Sequence, residues 1–89
     1  MKIVNNVLEK VYDEDIVNGT VIIPQGVTNI GEEAFYNCCY LETVTIQEGV
    51  TSIGKTAFCG CSSLKEIIIP EGVTSISRHA FSGCTSLKK

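Results

Sequence analysis

Five cysteines and one histidine are the residues of this 89-residue chain best suited to chemistry. Cys59-Gly60-Cys61 has the look of half a zinc site, but no second half with ligand spacing follows. The lone His79 shares its place in the chain's periodicity with Glu33 and Thr56, an outward position, so metal binding is not expected. One histidine also leaves no Ser/His/Asp or Cys/His set for nucleophilic catalysis. The neighbouring carboxylates Glu32–Glu33 and Asp13–Asp15 read as solvated surface rather than an acid/base pair, and no glycine-rich phosphate loop is present. Enzymatic activity and a cofactor are therefore not expected.

The cysteines belong to a larger regularity. Gly26, Gly49 and Gly72 stand 23 residues apart, as do Phe35, Phe58 and Phe81. The chain divides into a lead-in over 1–20 and three 23-residue units, 21–43, 44–66 and 67–89. Stacking the units aligns Val21, Val44 and Ile67, then Ile23, Ile46 and Ile69, then Val27, Val50 and Val73, then Ile30, Ile53 and Ile76. Ala34, Ala57 and Ala80 precede the phenylalanines, Cys38, Cys61 and Cys84 follow them, and Leu41, Leu64 and Leu87 close each unit. The Cys38–Cys61–Cys84 column is expected to be buried as small hydrophobes. In-register neighbours sit about 4.8 Å apart, beyond the roughly 3.5–4.5 Å between Cβ atoms that a disulfide requires. Cys39 and Cys59 fall in columns otherwise filled by Ser, Thr or Tyr and are expected at the periphery.

Elements follow from the spacing. Val21-x-Ile23 and its equivalents alternate with the period of a strand that has one buried face. Pro24 and Pro70 cannot donate to a ladder and end the strand. Gly26, Gly49 and Gly72 then predict a turn at positive φ, and Val-Thr-x-Ile a second, short extended segment. The stretch from Glu32 to Asn37 predicts about one and a half helical turns, ended by Asn37, Gly60 or Gly83. One such unit cannot bury its own apolar columns, whereas a stack turns each column into a ladder within a continuous core.

These columns resemble the BspA-like class of leucine-rich repeat, whose signature reads C-x-x-L-x-x-I-x-I-P-x-G-V-x-x-I-G-x-x-A-F. Here it stands as Cys61-x-x-Leu64-x-x-Ile67-x-Ile69-Pro70-x-Gly72-Val73-x-x-Ile76-Ser77-x-x-Ala80-Phe81. Gln47 for the proline and Ser77 for the glycine are the departures. The resemblance implies a short right-handed α/β solenoid with a parallel sheet on its concave side. It also implies a role in adhesion or protein binding with no catalytic activity. The lead-in is similar to segments that open such arrays. Asn5-Asn6, and more strongly Asn18-Gly19, offer hairpin turns, so 1–20 reads as a β-hairpin cap. An amphipathic helix over 6–17, with Val7, Leu8, Val11 and Tyr12 on one face, is the rival reading.

Surface is then what remains for function. The residue between the two buried apolars of each strand points outward: Ile22, Thr45 and Ile68, flanked by Thr20, Thr43 and Glu66. This strip is weakly charged, and its isoleucines suit a protein partner better than an ion or a sugar phosphate. A bland solvated sheet is the alternative. The third unit stops at Leu87-Lys88-Lys89 with no capping segment, so Ile67, Ile69, Ile76 and Phe81 would line a bare end. That end predicts a homodimer or a place in a longer adhesin-like array, and a small soluble enzyme inhibitor is a third possibility. Net charge is −3 with 19% charged residues and no basic run, which argues against nucleic acid as a partner. Hydrophobic content is 44%, but no run approaches the roughly 20 residues of a membrane span. The lead-in lacks a signal-peptide core, which with an odd cysteine count fits a reducing, cytoplasmic setting if Met1 is the natural start. A cell-surface or secreted setting follows if the chain is part of a longer member of the class.

Overall fold

A computed structural model describes residues 1–87. Among these residues, eight strands lie in two sheets. β1 (Lys2–Val4), β2 (Val7–Lys10), β4 (Asn29–Ile30), β6 (Ser52–Ile53) and β8 (Ser75–Ile76) form one, in the order β1-β2-β4-β6-β8. β3 (Thr20–Ile22), β5 (Thr43–Thr45) and β7 (Glu66–Ile68) form the other, in chain order. Every pairing is parallel except the β1–β2 hairpin. Within the units the register follows the sequence period: Val21 pairs with Val44 and Val44 with Ile67, while Ile30 pairs with Ile53 and Ile53 with Ile76. This is a β-solenoid in which each 23-residue unit is one rung.

Stacking carries the stability. Val21, Ile23, Val27, Ile30, Phe35, Leu41 and their second-rung equivalents are all buried, and among the described residues no polar or charged residue is buried beside them. The phenylalanines stack face to face, with ring centroids 4.5 Å apart for Phe35–Phe58 and 5.2 Å for Phe58–Phe81. Rungs approach closely at Gly54, where a Cβ would stand 2.9 Å from the backbone of Ile30, Gly31 and Glu32. At Gly31, the same position of the first unit, a Cβ would stand 2.9 Å from the Leu8 carbonyl, and Ser77 takes the position in the third.

The expected helical turn is not a helix. Glu33, Thr56 and His79 have φ of 60°, 53° and 66°, and Asn37, Gly60 and Gly83 four residues later have φ of 58°, 82° and 80°. Left-handed residues at that spacing break any i→i−4 ladder. The segment is instead a chain of tight turns, such as Ala34 N–H to Gly31 O at 3.2 Å and Cys38 N–H to Phe35 O at 3.1 Å. Its remaining amides reach forward to the next rung: Phe35 N–H to Ala57 O at 2.7 Å, and Asn37 N–H to Cys59 O at 2.8 Å. A rung held at strand spacing from its neighbour satisfies its amides across the gap, where a helix would turn them inward. The one helical element among the described residues is a 3-10 turn at Asp13–Asp15. The glycine turns also differ: Gly26 and Gly49 have φ of 96° and 105°, whereas Gly72 is not in the positive-φ region and a Val73 N–H to Pro70 O bond of 3.2 Å closes its turn.

The lead-in is a hairpin rather than an amphipathic helix. Asn5 and Asn6, with φ of 51° and 67°, make the two-residue turn between β1 and β2. Asn18-Gly19, with φ of 52° and 76°, makes a smaller one closed by the Val17–Thr20 bridge. β2 then joins the sheet of second extended segments, placing Leu8 beside Ile30. Val11 donates its N–H to Ala34 O at 2.9 Å, the bond that Phe35 makes to Ala57 one rung later. Leu8 and Val11 are thus a shortened first rung on the Ile30 and Phe35 columns, and both are buried.

Candidate partner-binding surface

The β3–β5–β7 sheet presents its alternation cleanly. Val21 and Val44 point into the core and are buried, while Ile22 between Val21 and Ile23 is 59% exposed and Ile68 is 56% exposed. Thr45 lies between these isoleucines in the ladder, since Ile22 pairs with Thr45 and Thr45 with Ile68. Thr20, Thr43 and Glu66 form the flanking row in the same register. Thr20, Thr43 and Thr45 are half-buried and Glu66 is exposed. The six residues singled out from the sequence therefore stand together on one face. At its margin Lys65 and Glu42 form an exposed ion pair at 3.5 Å. Such a surface offers β-branched contact area and hydroxyls, with few charges to desolvate.

The second set lies at the end of the stack. Ile67 and Phe81 are half-buried, and Ile69 and Ile76 are 39% and 49% exposed, although their first- and second-rung equivalents are almost wholly covered. The N-terminal end contrasts with this, because the hairpin seats Leu8 and Val11 over the first full rung.

The cysteines sit as their columns indicate, except that Cys84, on the last described rung, is half-buried where the column predicts burial. All five are free; Cys38 and Cys61 are buried, Cys84 and Cys59 half-buried, and Cys39 exposed. Cys61 donates its thiol proton to Phe35 O and Cys84 to Phe58 O, each at 3.1 Å. Burial, reinforced by the neighbouring thiols Cys38 and Cys84, pushes the Cys61 thiol up to about 12. Burial also raises Cys38 and Cys84. Protonated thiols donating to carbonyls are structural, not nucleophilic. Among the described residues no group of three or more His, Cys, Asp or Glu could hold a metal ion, and no helix is long and apolar enough to cross a membrane. A shallow groove between the second and third rungs is lined by Glu48, Gly49, Glu71 and Gly72 and gathers no complementary catalytic group.

One surface feature was not read from the sequence. Because Val11 takes the phenylalanine column, Tyr12 falls in the column of Tyr36, and both are exposed, with Tyr40 nearby in the chain 68% exposed. The shortened first rung breaks the 23-residue spacing, so the period alone does not align these tyrosines.

The fold has counterparts among solved structures. A leucine-rich repeat protein of T. pallidum superposes with a TM-score of 0.73 at 38% identity, covering 76% of this chain and 34% of that one. A leucine-rich cell surface protein of Faecalibacterium prausnitzii A2-165 gives 0.66 at 46% identity, covering 76% and 19%. A leucine-rich repeat protein of Bacteroides ovatus gives 0.52 at 31% identity, covering 76% and 23%. The chain thus spans about a third or less of each of these proteins. No curated protein matches it. The BspA-type leucine-rich repeat region, described as six copies, matches residues 6–89, beginning within the hairpin that the structure places on the sheet. Rungs in register at the sequence period, neighbours of the same architecture, and a match over nearly the whole length make this chain a member of the BspA-type leucine-rich repeat family.

Proposed function

We propose that the chain is a non-enzymatic protein-interaction module that receives a protein partner on the outward face of its β3–β5–β7 sheet. The observation that carries this reading is the pair of exposed isoleucines, Ile22 and Ile68, held in register on either side of Thr45. Rigid in-register strands fix their spacing before binding, so little ordering cost is met on association. Leucine-rich repeat proteins work through extended surfaces of this kind, and one similar solved structure is that of a cell surface protein. Display at a cell surface, with adhesion as its outcome, is the setting this reading favours. The test is binding of candidate extracellular proteins to the parent, to Ile22→Lys and Ile68→Lys, and to Thr51→Lys, exposed beside the other sheet, as a control. Loss of binding in the first two with retention in the third is expected; equal binding by all would contradict the reading.

A second reading rests on the exposed columns Ile69 and Ile76. In it the open end is an assembly face that joins a second copy or, in a longer chain, a fourth rung. Covering several hundred Å² of apolar surface contributes several kcal/mol at about 25 cal/mol per Å², before association costs.

A further inference from the structure

The Asn18-Gly19 turn runs directly into Thr20, which opens β3. Asn-x-Thr, with any residue but proline in the middle, is the acceptor triplet for an N-linked sugar. Its logic is chemical: an amide nitrogen is a weak nucleophile, so a glycosyltransferase must hold it through a second group, the hydroxyl two residues on. Of the five asparagines in the chain, Asn18 alone has Ser or Thr in that place. Asn5 is followed there by Val7, Asn6 by Leu8, Asn29 by Gly31 and Asn37 by Cys39.

The fold leaves both groups of the triplet available. Asn18 is exposed at φ 52°, in a turn whose ends, Val17 and Thr20, exchange backbone bonds of 3.1 and 2.9 Å. Among the described residues, neither the Asn18 amide nor the Thr20 hydroxyl has a side-chain hydrogen bond. Groups of the same type elsewhere are engaged. Thr28, Thr51 and Thr74 donate their hydroxyls to the carbonyls of Asn6, Thr28 and Thr51 at 3.4, 3.2 and 3.4 Å. The Asn29 amide donates to Ser52 Oγ, and the Asn37 side chain lies against Gly60. The turn itself is anchored, because the Gly19 carbonyl accepts the Glu42 and Thr43 N–H groups at 2.7 and 3.0 Å. The Glu42 side chain fills the space beside Gly19, 3.1 Å from where a Cβ would stand. Asn18 is therefore rooted at a fixed place on the first rung, and its amide is free to react.

We propose that Asn18 is a glycosylation site, accepting an N-linked sugar from a donor activated on a phosphate leaving group. In the transfer, Asn18 Nδ2 bonds to the anomeric carbon of the sugar. The anomeric C–O bond breaks, the phosphate group departs with that oxygen and the electron pair, and the transferase takes one amide proton. The donor is a polyprenyl-pyrophosphate oligosaccharide or a nucleotide sugar, which share this chemistry. The attached sugar stands at the first-rung margin of the outward strip, two residues from Thr20 in its flanking row. Strand spacing puts the Ile68 row two rungs, or about 10 Å, beyond the Ile22 row. The sugar thus marks the Ile22 end of the strip and leaves the Ile68 end open.

Two arms test this on the full chain. In one, the chain passes through a secretory system that transfers oligosaccharide from a lipid pyrophosphate. In the other, the purified chain is incubated with a soluble N-glucosyltransferase and UDP-glucose. Intact mass and peptide mapping read both. The parent is expected to gain sugar in at least one arm, at Asn18 and at no other asparagine, and the arm that succeeds identifies the donor. Asn18→Gln and Thr20→Ala should abolish the gain, and Thr20→Ser should keep it. Thr20→Ser retains the hydroxyl at a half-buried strand position, so it separates loss of the acceptor from loss of the fold. A parent left bare in both arms, sugar at another asparagine, or modification of Thr20→Ala equal to that of the parent would overturn the proposal. None of these results bears on the strip reading, whose test uses Ile22 and Ile68.

Discussion

At the scale of single residues, the thiols and one carboxylate give the sharpest expectations. Cys39 is exposed and Cys59 half-buried, while Cys61 is fully buried with its thiol pushed up to about 12. A thiol reagent at pH 8 should label Cys39 and Cys59 first and Cys61 last, with peptide mass mapping as the readout. A Cys38–Cys61 or Cys61–Cys84 disulfide in unreduced protein would contradict the arrangement. In the chain beginning at Met1, the N-terminal ammonium lies 2.8 Å from the Asp15 carboxylate, which also accepts the Tyr12 N–H at 2.8 Å. The ammonium first, then this hydrogen bond, lowers the Asp15 carboxyl below its ordinary value of 3.8. A depressed carboxyl contributes stability that is present above its unfolded value and lost as pH falls through the folded one. Urea midpoints should therefore fall less between pH 6 and pH 3 in Asp15→Asn than in the parent, and equal falls would show that the contact does not contribute.

At the scale of elements, the ladders bear the load. Phe58 is stacked on both faces, by Phe35 and Phe81, and fully buried. Phe58→Ala should lose about 3–5 kcal/mol, a large part of the stability of a domain this small; a melting temperature within about 2 °C of the parent would contradict its place in the core. The strands, their period and this column were legible because a fixed spacing of apolar residues has one economical arrangement, the stack. The turns were less so. Ala34, Phe35 and their neighbours carry helix-compatible spacing, and nothing local announces that Glu33, Thr56 and His79 adopt positive φ. That conformation is imposed by the neighbouring rung, which takes up the amides a helix would have used. The lead-in was legible as a hairpin from its asparagine turns. Its pairing with β4 was not, because Leu8 and Val11 stand three residues apart where Ile30 and Phe35 stand five apart.

At the scale of the whole molecule, one end is closed by a shortened rung and the other leaves Ile69 and Ile76 exposed, while one sheet turns Ile22 and Ile68 outward. The strip could be read from sequence because strand alternation assigns faces two residues at a time; the column shared by the exposed Tyr12 and Tyr36 could not, since its alignment depends on the lead-in's broken period. The account's central claim is that the chain acts through this outward strip. A photo-cross-linking residue placed at Thr45, in the middle of the strip, and another at Thr51, exposed beside the opposite sheet, test it most directly. Displayed to candidate extracellular proteins, the chain should give a discrete adduct from position 45 that Ile22→Lys suppresses, and none from position 51. Adducts from position 51 alone, or equal adducts from both that Ile22→Lys leaves unchanged, would contradict it.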